Sequence, residues 1–207
     1  GDGVMPTWVT SPTVEGTVWV TGNNVAKIFE VDLVSWRVQR TFETGPGPYN
    51  LDLTPDGSTL VATYKDGDAV GFWDLESGRE RARTATSRTI PHGVAVTPDG
   101  EYAFVTLEGV GGDPGTVEVY DVSTGERRSL WHELASISDA SSFDRTGDLF
   151  SVTREDSSTP KDVWLVRREA DGLKWTQLTR TNPQAAEFEV GATSAIRAGL
   201  CSIRPPV

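Results

Sequence analysis

Both histidines of this 207-residue chain, His92 and His132, fall on segments that lead into consecutive copies of a repeated unit, and Asp139 follows the second of them. Two imidazoles and a carboxylate can ligate a divalent metal, or serve as acid and base toward a bound substrate. His92 and Asp139 are therefore the candidate catalytic positions. The competing reading is structural: Pro91-His92-Gly93 makes a turn at a strand entrance whose imidazole bonds backbone, and His132 is simply exposed. The structural reading is favoured, because no spacing among the three residues matches a metal motif. Neither a metal nor a cofactor is expected.

The remaining motifs carry less. The glycine-rich run from Gly109 to Gly115 has no helix after it, so it lacks the helix N-terminus that would receive a phosphate. Glu108 with Asp113, and Glu155 with Asp156, supply oxygen ligands for Ca²⁺ only at the density of any acidic surface. There is no Gly-x-Ser-x-Gly elbow and no Cys-x-x-Cys pair, and the single cysteine, Cys201, cannot form an intrachain disulfide. Nucleophilic catalysis has no candidate centre.

What positions these residues is a repeat. A glycine closing a turn recurs as Gly16, Gly57, Gly100 and Gly147, and a threonine closing the next apolar run recurs as Thr21, Thr63, Thr106 and Thr153. A third landmark, the turn after a third run, falls at Trp36, Gly78, Gly125 and Gly172. Units of roughly 40–50 residues built from short runs mark a propeller, a solenoid or an array of small sheets. Within a unit Val94 and Val96 alternate with Ala95 and Thr97, and Tyr102 and Phe104 with Ala103 and Val105, which is strand spacing. Pro-Asp-Gly and Ser-Thr-Gly between the runs are tight-turn sequences. Four locally joined strands per unit make one blade of a β-propeller.

The expected fold is thus all-β, one propeller domain of four-stranded antiparallel blades spanning about 6–44, 48–86, 90–131 and 138–181, with a partial fifth over 187–207. The partial blade could instead be a short helix over 182–200, where the alanine-rich spacing is ambiguous. An open array leaves apolar end faces in water. At ~400 Å² per face and about 25 cal/mol per Å², each costs on the order of 10 kcal/mol, comparable to a whole domain's stability. The chain is accordingly expected to belong to a larger propeller, or to have its ends covered by missing blades or another subunit.

In such a fold the inner strands converge on a channel, and one mouth is lined by the loops leading into them and by the second-to-third-strand loops. Counting eight back from each glycine landmark places Tyr49, His92 and Asp139 at that mouth, with Thr7 or Trp8 in the first blade and Asn50 adjacent. The expected binding residues are Trp8, Tyr49, Asn50, His92, His132 and Asp139.

The runs Val18-Trp19-Val20-Thr21-Gly22, Leu60-Val61-Ala62-Thr63-Tyr64 and Phe104-Val105-Thr106-Leu107-Glu108-Gly109, each preceded by a Thr-Pro-Asp-Gly-like turn, resemble the YVTN-type repeats of surface-layer and periplasmic propellers. The stretch from Asp162 to Thr179 is closer to the repeats of TolB-like propellers. The resemblance implies a non-enzymatic, extracytoplasmic module that presents loops for protein or ligand binding. The alternative is a channel-sited enzyme, either a lactonase-like hydrolase or a domain similar to cofactor-bearing oxidoreductase propellers. The net charge of −11 opposes binding to nucleic acid, and no apolar run approaches the roughly 20 residues of a membrane span.

Overall fold

The structure, a computed structural model, describes residues 3–11, 16–109, 114–133, 135–139, 143–156, 158–170 and 172–184. The expected partial fifth blade over 187–207 lies outside these residues, as does Cys201.

The fold is all-β, a β-propeller of four antiparallel blades in which sequence order is also spatial order. The first blade comprises β1 (Pro6–Thr10), β2 (Thr17–Gly22), β3 (Lys27–Asp32) and β4 (Arg37–Glu43). The second comprises β5 (Pro48–Leu53), β6 (Thr59–Tyr64), β7 (Ala69–Asp74) and β8 (Arg79–Ala85). The third comprises β9 (Pro91–Val96), β10 (Tyr102–Leu107), β11 (Gly115–Asp121) and β12 (Arg127–Glu133). The fourth comprises β13 (Ser136–Ser138), β14 (Leu149–Glu155), β15 (Asp162–Glu169) and β16 (Gly172–Gln177). The inner strands β1, β5 and β9 lie against one another in succession, and β13 packs on the third blade through β10 and β11.

The turns explain the regularity. After each third strand an aspartate accepts the backbone N–H of a residue in the following turn: Asp32 from Ser35 at 2.6 Å, Asp74 from Ser77 at 2.7 Å and Asp121 from Thr124 at 3.0 Å. These bonds favour the carboxylates and hold all three below the ordinary aspartate range. The turn then needs a left-handed residue, supplied by Gly78 and Gly125 with φ of 70° and 74°. In the first blade Trp36 occupies it at φ 56°. Side chains other than glycine adopt this conformation only at a steric cost.

The turns after the inner strands mesh from blade to blade. Gly57, Gly100 and Gly147 each donate N–H back to the residue three before them, at 2.8, 2.8 and 3.2 Å. A Cβ on Gly100 would lie 3.4 Å from Pro55 of the preceding blade, and one on Gly147 would lie 3.5 Å from Pro98.

Three apolar clusters fill the spaces between blades. Trp19, Ile28 and Phe42 meet Leu51, Leu60 and Trp73; Val61, Val70 and Phe72 meet Val94, Val105 and Tyr120; Phe104, Val117 and Val119 meet Ile137, Phe150 and Val166. Several buried polar groups within these layers are paired, although the Trp19 indole N–H has no partner among the described residues. Tyr64 donates to Glu80 at 2.7 Å and accepts the Trp73 indole N–H at 2.8 Å. Glu118, fully buried, accepts from Tyr120, from Arg127 at 3.1 Å and from the Ser87 N–H at 2.9 Å.

One expectation is corrected here. His132 is not on a loop entering the fourth blade but within the outer strand β12, opposite Thr116. The third strand of this blade begins at Gly115, so its outer partner continues past Trp131 to Glu133. His132 Nδ1 and the Thr116 hydroxyl share a 2.8 Å hydrogen bond.

Candidate functional site: a charged cluster at one channel mouth

Tyr49, His92 and Asp139 come together. Tyr49 and His92 are the second residues of the inner strands β5 and β9, which pack on one another, and Asp139 directly follows the inner strand β13. The Tyr49 and His92 rings are 4.5 Å apart between centroids, and His92 Nδ1 lies 3.4 Å from Asp139 Oδ1. In the first three blades the landmark threonine accepts the next residue's N–H: Trp8 to Thr21 at 2.9 Å, Asn50 to Thr63 at 3.1 Å and Gly93 to Thr106 at 3.0 Å. This register makes Thr7, not Trp8, the first-blade counterpart of Tyr49 and His92. The spare residue between Pro12 and Gly16 made the two indistinguishable by counting. Trp8 lines an apolar cleft with Pro6, Thr7, Val9 and Val20.

Threonine hydroxyls also cross the blade boundaries. Thr21 donates to the Tyr49 carbonyl at 3.1 Å and Thr63 to the His92 carbonyl at 2.9 Å. Asn50 is fully buried, and neither of its side-chain polar atoms has a hydrogen-bond partner among the described residues.

Three residues complete the mouth that counting back from glycines did not find. Lys65, Glu108 and Lys161 come from the second-to-third-strand loops of the second, third and fourth blades. Lys65 Nζ stands 4.6 Å from the Tyr49 ring centroid and 3.5 Å from Glu108. Glu108 Oε1 is 3.2 Å from His92 Nε2, and Lys161 reaches 4.0 Å from Asp139, which also accepts the Thr153 hydroxyl at 3.1 Å. A signal for two of them exists: the residue two beyond each landmark threonine is Asn23, Lys65, Glu108 and Glu155. Lys161 lies on a lengthened loop where that count fails.

The result is a chain of ionisable groups, Lys65–Glu108–His92–Asp139–Lys161, with the imidazole between two carboxylates, across three blades. The His92 side chain is 11% exposed, and its pKa is lowered because desolvation outweighs the pull of Glu108 and Asp139, while Lys65 and Lys161 add to the lowering. The two carboxylates address opposite nitrogens of one ring. That geometry separates the oxygen ligands rather than converging them, and no group of three metal-ligating side chains occurs among the described residues. No serine or cysteine side chain bonds His92 among those residues either. The arrangement is suited to electrostatic and hydrogen-bond recognition at an aromatic-lined mouth.

No family model matches the chain. No curated protein matches it. Among solved structures it is similar to Kuenenia stuttgartiensis hydrazine synthase, at a TM-score of 0.56 and 17% sequence identity, covering 86% of this chain and 67% of that one. At that identity the likeness carries the propeller fold, and an activity must be argued from the site itself. No helix among the described residues is long and apolar enough to cross a membrane.

Proposed function

We propose that this propeller is a non-enzymatic binding module whose protein or small-molecule ligand docks at the mouth formed by Tyr49, His92, Glu108 and Asp139. The observation that carries the reading is the lining of that mouth, where the Tyr49 ring lies 4.5 Å from His92 and 4.6 Å from Lys65 Nζ while Glu108 and Asp139 flank the imidazole, a surface of aromatic and charged groups drawn from three blades. Lys161 and Asp139, with side chains 52% and 35% exposed, offer charges to a ligand arriving from solvent. The resemblance to YVTN-type repeats supports an extracytoplasmic setting.

The second reading is acid–base chemistry in the channel, as in a lactonase-like hydrolase. The His92–Asp139 contact favours it, since a carboxylate can orient an imidazole for proton transfer.

A photoreactive amino acid in place of Lys161, irradiated in native cell extract, tests the first reading. It should trap a discrete partner, and Tyr49→Ala and Asp139→Ala should each abolish the product. Hydrolysis of a lactone panel by the wild type, lost in His92→Ala at an unchanged thermal midpoint, would overturn it in favour of the enzyme. A visible absorption band in the purified protein would instead point to a cofactor-bearing propeller.

A further inference from the structure

The leading face of the first blade is built like a surface between blades. Val9 lies opposite Val20 and Val20 opposite Phe29, while Val18 lies opposite Val31 and Val31 opposite Val38. Residues directly opposite on neighbouring strands share a face. These six side chains therefore form two apolar rows across the sheet. The repeat puts Leu51, Ala62, Leu60 and Trp73 of the second blade at the positions of Val9, Val20, Val18 and Val31. In the third blade Val94, Val105, Ala103 and Tyr120 take those places. All eight are at most 4% exposed, because a preceding blade covers them, whereas Val9 and Val38 are 58% and 54% exposed.

Two polar slots recur with the rows. One is the carbonyl that receives a second-strand threonine from the preceding blade, Tyr49 from Thr21 and His92 from Thr63. The other is the carbonyl after the third strand, which receives an outer-strand arginine. Arg40 donates to Leu75 and Arg81 to Val122, both at 2.7 Å. In the first blade the corresponding carbonyls belong to Thr7 and Leu33. No side chain donates to either among the described residues.

We infer that this face docks a further four-stranded blade of the same repeat type. Its trailing face carries aliphatic and aromatic side chains, a second-strand threonine for the Thr7 carbonyl and an outer-strand arginine for the Leu33 carbonyl. The inference rests on continuity with the interfaces already present, which use the same rows and slots twice over. A fourth blade from a second copy does not meet the requirement. Its trailing row pairs Ser151 with Leu165 where the inner blades pair Val61 with Phe72 and Phe104 with Val119. Its outer strand β16 contains Lys174 and no arginine.

The test supplies a surrogate. Residues 48–90, a blade carrying Thr63 and Arg81, are joined directly ahead of Pro6, which reproduces the connection that runs into Pro91 in the native chain. The surrogate brings an open leading face of its own, so the reading is local: the amides of β1–β3 should exchange with solvent at least about tenfold more slowly than in the original chain, and the melting temperature should rise several degrees. Val38→Asp, at a position already open to solvent, should leave the original chain folded and cancel both gains. Equal exchange at β1–β3 with an unchanged melting temperature would overturn the inference. So would sedimentation of the original chain as a dimer that Val38→Asp dissociates, because the occupant would then be a second copy.

Discussion

Thr63 ties two blades together through one hydroxyl, donating to the His92 carbonyl at 2.9 Å and accepting the Asn50 N–H at 3.1 Å. Both backbone groups are buried, so Thr63→Val leaves a donor and an acceptor unpaired. The expected cost is about 1–3 kcal/mol in urea denaturation. The His92 ring resonances should shift in the same variant, and Thr21→Val, which acts on Tyr49 instead, should leave them nearly in place. Unchanged His92 resonances in Thr63→Val would mean that the bond does not position the imidazole.

The lowered pKa of His92 gives stability a direction with pH. Its native value lies below the ordinary 6.5, so the unfolded chain binds the proton more readily. Acidification from above 6.5 down through the native value therefore destabilises the fold, and the loss levels off below it. Denaturation midpoints across that window should fall more steeply for the wild type than for His92→Gln. Parallel curves would contradict the burial argument.

Gly71 makes room for the Tyr64 hydroxyl: a Cβ there would stand 2.1 Å from Tyr64 Oη and 2.5 Å from Glu80 Oε1. Gly71→Ala should cost about 1–3 kcal/mol through overpacking. Tyr64→Phe should cost a similar amount for a different reason, since it removes the acceptor of the Trp73 indole N–H in a side chain 4% exposed. Quenching of Trp73 fluorescence by acrylamide separates the two, rising only where the packing around the indole has loosened.

Trp36 is 76% exposed and holds the left-handed position that its counterparts fill with glycine. Trp36→Gly should raise stability by roughly 0.5–1 kcal/mol, the steric relief exceeding the added chain entropy. A lower melting temperature would show that the indole contributes packing that its exposure conceals.

The landmarks that gave the blades in advance are those in which side-chain identity and backbone geometry are locked together. Asp32, Asp74 and Asp121 must accept turn N–H groups, and Gly78 and Gly125 must turn left-handed, so spacing alone located the strands around them. Equal spacing also brought Tyr49, His92 and Asp139 to one mouth. It failed where length varies. The loops at 108–114 and 156–161 exceed those at 23–26 and 65–68, so counting from glycines missed Lys161 and misjudged His132, whose strand lengthens to match β11. The buried Glu118 had no local signature, because its partners Ser87 and Arg127 lie on either side of it in the sequence and meet it only through packing.

The contact of each Thr-Pro turn with the glycine of the following blade gives the two rims different freedoms. On the turn side, neighbouring blades engage like cogs, and a residue inserted in the second or third blade's turn would disturb its contact with the glycine that follows. On the other side the connections hang free of that gearing, so they can grow or be rewritten without altering the angular pitch. Diversity of recognition can therefore accumulate at Lys65, Glu108 and Lys161 while the wheel beneath them stays the same.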